Sequence, residues 1–162
     1  MPQRRRQRLP LDAYAIDGSV WHATICASRQ VGPVFADPAN AGLILDTFES
    51  GCRFLKAIPY VVCIMPDHVH LLVEVRDIGL VDLIGRIKSF SMSQWWKQGN
   101  RGMLWQESFY DHGIRGSRDF EATMTYILNN PVSAELVSEW EVYPFIAGTL
   151  IREDDGSEMD GL

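Results

Sequence analysis

The stretch that decides the fold is Pro59-Tyr-Val-Val-Cys-Ile-Met-Pro-Asp-His-Val-His-Leu-Leu-Val-Glu-Val75. It predicts two strands, 58–65 and 68–75, because β-branched and other apolar residues fill both runs and a Pro-Asp turn signal separates them. Side chains alternate between the faces of a strand, so His68 and His70 share one face. Two imidazoles at this spacing can bind one cation. For the motif taken alone, two histidines on a solvated strand face are the favoured alternative.

Composition indicates a compact domain. The chain has 162 residues, of which 46% are hydrophobic and 10% aromatic, enough for one sizeable core. No apolar run approaches the ~20 residues of a membrane helix, and nothing resembles a secretory signal. The three cysteines lie in apolar contexts without metal-ligand spacing, which is typical of reduced thiols in a cytoplasmic protein. We therefore expect a single domain over residues 1–150, followed by an acidic, disordered tail over 151–162.

The net charge of −6 is unevenly distributed. Residues 1–118 contain fourteen Lys and Arg against eleven Asp and Glu, whereas residues 119–162 contain one Arg against ten acids. A mildly basic body can hold a phosphate backbone. Four arginines form a basic N-terminal arm within residues 1–10, namely Arg4, Arg5, Arg6 and Arg8. This arm fits either a nucleic-acid contact or a frayed terminus.

The remaining elements follow from periodicity and caps. Residues 20–27 predict a first strand, and the apolar repeats of 38–55 and 80–98 predict two helices, the first capped by Asp37. A fourth strand is expected over 108–115, then a third helix capped by Ser117 that ends near Asn129, before Pro131, and a short helix or loop to Phe145. The order β-α-β-β-α-β-α predicts an α+β, ferredoxin-like split βαβ fold. Its antiparallel sheet carries helices on one face and an extra C-terminal helix bearing Tyr126.

The third helix carries a candidate nucleophile. Its apolar stripe is Phe120, Met124 and Ile127, whereas Tyr126 and Asn130 are neighbours at i and i+4, away from that stripe. A phenol hydroxyl can attack a phosphodiester while two imidazoles and an amide oxygen hold a divalent metal, Mn²⁺ or Mg²⁺, on the phosphate. The alternative is a surface tyrosine and an ordinary helix-ending asparagine.

Three motifs together resemble a known family. Met65-Pro-Asp-His-Val-His-Leu-Leu72 resembles the HUH (His-hydrophobe-His) motif of single-tyrosine transposases. Trp105-Gln-Glu-Ser-Phe-Tyr-Asp-His112 and Tyr126-Ile-Leu-Asn-Asn-Pro-Val132 are similar to runs of the REP-associated tyrosine transposases, an IS200-like subgroup. The resemblance covers roughly residues 8–145.

The resemblance implies an activity and a site. Tyr126 would be the nucleophile, and His68, His70 and Asn130 the metal ligands. The protein would be a metal-dependent single-stranded DNA endonuclease and strand transferase that forms a 5′-phosphotyrosine intermediate at hairpin-bearing DNA such as repetitive extragenic palindromes. It departs from the family at Val132-Ser-Ala-Glu135, where basic residues are common.

Other residues are candidates for supporting roles. The ferredoxin-like order places the first strand beside the third, so His22 is a candidate second-shell or phosphate-contacting residue, and His112 is another. The DNA-binding candidates in the body are Lys88, Trp96, Arg115 and Arg118, in addition to the N-terminal arm.

Two further functions fit the same residues. A domesticated, non-catalytic protein could bind DNA hairpins, and a small ferredoxin-like protein could bind a structural or sensory metal. The expected partners are single-stranded or hairpin DNA and no membrane, with the protein acting as a monomer or homodimer.

Overall fold

The computed structural model describes residues 9–151. The arginines predicted to form a basic arm, and the predicted acidic tail after residue 151, lie outside the described residues. Within residues 9–151, no helix is long and apolar enough to cross a bilayer.

Residues 9–151 form a five-stranded antiparallel sheet with three α-helices. The elements are β1 (Val20–Cys26), α1 (Pro38–Phe54), β2 (Ile58–Ile64), β3 (His68–Glu74), α2 (Leu80–Lys97), β4 (Tyr110–Gly113), α3 (Gly116–Ser133) and β5 (Ile146–Ala147). Short 3₁₀ turns lie at Leu11–Ala15, Val34–Ala36 and Trp140–Val142. The strand order is β4-β1-β3-β2-β5, with every neighbouring pair antiparallel. The prediction of an α+β, ferredoxin-like fold is confirmed.

The two faces of the sheet have separate cores. Alternate residues of β3, such as Leu71, pack with Phe48 of α1 and Leu83 of α2 in the larger core. The intervening Leu72 packs with Ile127 of α3 in a smaller core on the opposite face. Since side chains of a strand alternate, His68 and His70 share the face of Leu72. The histidines and α3 therefore lie on the same side of the sheet.

The turn between β2 and β3 is fixed by backbone hydrogen bonds from neighbouring segments. The Met65 amide donates to the His68 carbonyl at 2.8 Å and closes the hairpin. The amides of Phe35 and Ala27 donate to the carbonyls of Pro66 and Asp67, each at 2.9 Å. These bonds hold the residues just before the histidine pair in one geometry.

One helix cap was predicted correctly and one was not. Asp37 accepts hydrogen bonds from the amides of Ala39 and Asn40 at 2.8 and 3.3 Å, as expected for an N-cap. The Ser117 prediction was wrong, because α3 begins at Gly116 with Arg115 as its N-cap, so Ser117 lies inside the first turn. The carboxylate of Asp119, in the first turn of α3, accepts from the Arg115 amide at 2.7 Å instead.

The predicted end of α3 was also wrong. The helix continues to Ser133, with Pro131 inside it. A proline removes only one backbone donor, and here it does so in the last turn, where the Ala134 amide still reaches the Asn130 carbonyl at 3.0 Å. Asn130 is therefore helical and lies one turn after Tyr126.

The strands at the sheet edges differ most from expectation. Only Tyr110–Gly113 of the expected 108–115 pair with β1, while Trp105 forms an isolated bridge with Ala27. The segment up to Phe145 was predicted as a short helix or loop and contains the 3₁₀ turn Trp140–Val142. Beyond it, β5 pairs with β2 through Ala147 opposite Val62. Two residues carry too little local pattern to predict a strand, and tertiary pairing forms it.

The Gly148→Ala substitution should detach the end of β5. Gly148 has φ +146, and an added Cβ would lie 2.3 Å from the carbonyl oxygen of Tyr60. We expect unfolding to require about 1–3 kcal/mol less, the usual cost of overpacking, measured by urea denaturation. The control is Gly42→Ala in α1, where nothing lies within 4 Å of the added atom and helix propensity favours alanine. Equal stability of both variants would contradict the prediction.

Candidate active site

The two histidines of β3 turn their rings toward each other. Their Nε2 atoms lie 3.1 Å apart, and the ring planes are nearly perpendicular at 88°. His70 is buried, with 3% of its surface exposed, whereas the side chain of His68 is 24% exposed. The pair therefore presents two ring nitrogens at one point, reached from solvent on the side of His68.

Asp67 orients His68. Its carboxylate oxygen lies 2.7 Å from Nδ1 of His68. A carboxylate can only accept in this bond, so Nδ1 carries hydrogen and Nε2 is left to bind a ligand. Such a carboxylate partner is the usual support of a metal-binding histidine.

His70 and His22 are kept neutral by their surroundings. Burial, reinforced by the charges of His68 and His22, lowers the pKa of His70 to about 3, while a hydrogen bond with the Asn130 side chain acts in the opposite direction. Burial and the charge of His112 lower the pKa of His22 to about 4. Both imidazoles are therefore uncharged at pH 7, the form in which a ring nitrogen can bind a metal.

Tyr126 lies against this cluster in the same chain. Its ring centroid is 5.6 Å from that of His70 and 6.0 Å from that of His22, both in edge-to-face geometry. Ile127, the next residue, is fully buried in the smaller core, and this contact fixes the rotation of α3. Tyr126 nevertheless remains 57% exposed. Its hydroxyl can therefore meet a large substrate.

The other tyrosines are held differently. Tyr14 is buried, Tyr60 donates its hydroxyl to Glu74, and Tyr143 donates to the carbonyl of Ile64 at 2.5 Å. Tyr110 is 56% exposed and lies across β1 from His70 on the same face, since both pair with Thr24. Tyr110 is therefore the alternative candidate nucleophile on this face.

The donor set at the histidine pair fits a divalent cation. The Asn130 side chain is close enough to His70 to raise the pKa of that imidazole, and it donates to the Tyr126 carbonyl at 3.3 Å, so its amide lies beside the pair. Two imidazole nitrogens and an amide oxygen suit Mn²⁺ better than Mg²⁺. Within the described part of the chain, no three His, Cys, Asp or Glu side chains are arranged to hold a metal ion. A third protein ligand for such a cation would be the amide oxygen of Asn130.

The connection from β4 to α3 is held by a hydrogen bond between His112 and Asp119 and carries two exposed arginines. His112, opposite His22 in the β1–β4 register, contacts both carboxylate oxygens of Asp119 at 2.9 and 3.0 Å. That hydrogen bond, with the Arg115 amide, holds the pKa of Asp119 below its usual range. The side chains of Arg115 and Arg118 are exposed beside it. His112 thus supports this connection, and its hydrogen bonds go to Asp119 rather than to the histidine pair.

Two predicted DNA contacts lie away from the cluster. The ammonium of Lys88 donates to the carbonyls of Gln106, Glu107 and Ser108 at 2.7, 3.3 and 3.4 Å. Lys88 therefore links α2 to the segment that precedes β4. Trp96 is 40% exposed, but it belongs to α2, which packs on the other face of the sheet. Neither residue is brought to the histidines.

The Lys88→Met substitution should therefore cost stability rather than DNA affinity. Methionine keeps an unbranched apolar side chain but leaves the carbonyls without the ammonium. We expect a loss of about 1–3 kcal/mol in the free energy of unfolding and an unchanged salt dependence of hairpin binding. By contrast, Arg118→Gln should leave stability unchanged and reduce the salt slope of DNA binding by about one. A reduced salt slope for Lys88→Met would show that it contacts phosphate.

Three residues that contact the histidines of this face were not predicted from the sequence. Asp67 bonds His68, Thr24 approaches Nδ1 of His70 at 3.3 Å, and Asp119 bonds His112. The first two could have been found, because Asp67 directly precedes the motif and Thr24 shares a strand face with His22. Asp119 contacts a strand from a helix, which no local pattern signals.

Comparison with known proteins gives three agreeing results. A Haemophilus influenzae protein named as a REP-associated tyrosine transposase is 28% identical over 161 residues, covering 88% of this chain and 90% of its own length. The solved structure of a REP-associated tyrosine transposase bound to a REP hairpin superposes with a TM-score of 0.70 at 20% identity, covering 90% of this chain and 82% of that one. The sequence pattern of the family described as "Transposase IS200 like" matches residues 42–130. That match spans more than half of the chain and includes both histidines, Tyr126 and Asn130, so the protein belongs to the IS200-like transposase family.

Proposed function

We propose that this protein is a metal-dependent single-stranded DNA endonuclease and strand transferase. It forms a 5′-phosphotyrosine intermediate beside DNA hairpins such as repetitive extragenic palindromes. The observation that carries the proposal is the contact of the exposed Tyr126 ring with His70, whose Nε2 meets that of His68. The name of the solved neighbour, a transposase bound to a REP hairpin, supports the choice of DNA.

The chemistry is a transesterification. The hydroxyl oxygen of Tyr126 attacks the phosphorus in line with the leaving 3′ oxygen, and the bond between phosphorus and that oxygen breaks. The phenol loses its hydrogen, the leaving 3′ oxygen gains one, and the 5′ phosphate stays bound to the Tyr126 oxygen. Because one phosphate ester replaces another, attack by a 3′ hydroxyl can rejoin the strand without a nucleotide cofactor.

The residues of the site divide this task. His68, His70 and Asn130 would hold the divalent cation, which polarises the scissile bond and offsets the charge of the transition state. The rings of His70 and His22 keep Tyr126 in place. Because this contact forms within one chain, the proposed site assembles in cis.

The test follows each end of the cut strand separately. The full chain is incubated with hairpin oligonucleotides that have randomised single-stranded flanks, in Mn²⁺ or in EDTA, and resolved on a denaturing gel. A 3′ label should appear in a covalent protein adduct only with Mn²⁺, whereas a 5′ label should appear in a free fragment ending in a 3′ hydroxyl. Hairpin binding without an adduct in any divalent cation would favour the non-catalytic DNA-binding alternative. An adduct carrying the 5′ label would reverse the proposed polarity.

A further inference from the structure

His70 has contacts at both ring nitrogens. Nε2 lies 3.1 Å from Nε2 of His68, while Nδ1 lies 3.0 Å from Nε2 of His22 on β1. To bind a cation through Nε2, His70 must carry its hydrogen on Nδ1. His70 is 3% exposed, and a buried N–H needs an acceptor within the protein.

Resting on the metal site of the proposed function, we propose that His22 is a positioning residue that accepts the Nδ1 hydrogen of His70 and so aims the Nε2 lone pair of His70 at the cation site. The competing arrangement of His70 places the hydrogen on Nε2, where it donates to Nε2 of His68. That bond occupies the point at which both ligands must meet a cation. His22 therefore keeps the ligand pair open before any metal arrives.

Two observations favour His22 over its neighbours in this role. The hydroxyl of Thr24 is farther from Nδ1, at 3.3 Å, so Nε2 of His22 is the nearer acceptor for a hydrogen on that nitrogen. His112 lies opposite His22 but is engaged with Asp119. His22 also contacts the ring of Tyr126. One side chain thus orients a metal ligand and touches the proposed nucleophile.

The tautomer of His70 can be measured directly in the wild-type protein. Long-range ¹H–¹⁵N correlation spectra of metal-free, ¹⁵N-histidine-labelled full-length protein distinguish a protonated Nδ1 from a protonated Nε2. We expect His70 to carry hydrogen on Nδ1. Hydrogen on Nε2 would overturn the proposal, and because no substitution is involved, this measurement does not depend on a variant that folds.

Metal affinity gives the second readout. Titration with Mn²⁺, followed by electron paramagnetic resonance, should show the dissociation constant of His22→Phe raised about 10–100-fold, the usual effect of losing the partner of a metal-binding histidine. His22→Gln offers an amide oxygen near the position of Nε2 and should recover most of this loss. His112→Phe is the matched control on the neighbouring strand and should bind as the wild type does. A His22→Phe dissociation constant within about threefold of wild type, or equal losses in His22→Phe and His22→Gln, would contradict the proposal.

These measurements contain no DNA. If the wild-type protein binds Mn²⁺ as described but forms no adduct, the endonuclease proposal fails and the role of His22 stands. If adducts form while His70 carries hydrogen on Nε2, the role of His22 fails and the endonuclease proposal stands.

Discussion

Replacing Tyr126 with phenylalanine is expected to abolish the covalent adduct and strand cleavage. The proposed nucleophile is the hydroxyl, and removing the nucleophile of a covalent mechanism lowers the rate on the order of 10⁴-fold or more. The measurement is adduct formation on the 3′-labelled hairpin strand over a time course, with Mn²⁺ present. The expected result is no adduct in the variant under conditions that convert the wild-type protein.

The same substitution should leave the folded protein and its proposed metal site intact. Phenylalanine keeps the ring that contacts His70 and His22. Tyr126 is 57% exposed, and surface substitutions usually change the free energy of unfolding by less than about 0.5 kcal/mol. Hairpin binding and Mn²⁺ affinity should therefore match the wild type. Loss of chemistry with retained binding would assign the hydroxyl to the reaction rather than to the fold.

Tyr110 supplies the matched control. It is as exposed as Tyr126, at 56%, and lies on the same face of the sheet, but it belongs to β4. Tyr110→Phe removes an equivalent hydroxyl and should retain full adduct formation. An adduct that persists in Tyr126→Phe and disappears in Tyr110→Phe would move the nucleophile to β4 and end the assignment of Tyr126.

The part of the fold that local chemistry controls was predictable. The β2–β3 hairpin follows from two apolar runs and a turn signal, and α1 from its periodicity and Asp37 cap. The expected pairing of the first and third strands predicted that His22 lies near His70. In the structure, Nε2 of His22 lies 3.0 Å from Nδ1 of His70. In each of these cases the sequence pattern and the final packing favour the same structure.

The features that the sequence did not predict depend on tertiary structure. Pro131 predicts a helix end, but the last turn of α3 tolerates the loss of one donor and keeps Asn130 helical. The DNA contact predicted for Lys88 from its charge stays a prediction, and the carbonyls that its ammonium binds come from a segment 18 to 20 residues away, which the charge pattern does not signal. Tyr126 and Asn130 were paired from helical spacing, but their contact with His70 depends on how α3 rotates over the sheet. The buried Ile127 decides that rotation, and no local pattern reports it.

Replacing His68 with alanine is expected to remove the stabilisation of the protein by Mn²⁺. A ligand that binds only the folded state at one hundred times its dissociation constant raises the free energy of unfolding by about 2.7 kcal/mol. For a chain of this size that corresponds to a rise in melting temperature of roughly 5–10 °C. His68 is the better ligand to remove, because its side chain is 24% exposed and His70 is buried. Loss of the His68 side chain should therefore change the stability of the metal-free protein little. It should reduce metal affinity at least about 100-fold, because losing only the hydrogen-bond partner of a ligand already reduces it by up to about 100-fold.

The comparison with His112 makes this result specific. His112→Ala removes another imidazole from the same face, but that side chain is 53% exposed and bonds Asp119 rather than a metal ligand. It should keep the full rise in melting temperature with Mn²⁺. If both variants keep that rise, the cation that stabilises the protein binds elsewhere. If both variants lose that rise, the stabilisation by Mn²⁺ is not specific to the histidine pair. Only loss in His68→Ala alone agrees with a cation held by the histidine pair, because these two variants remove the same chemical group at two places that the sheet keeps apart.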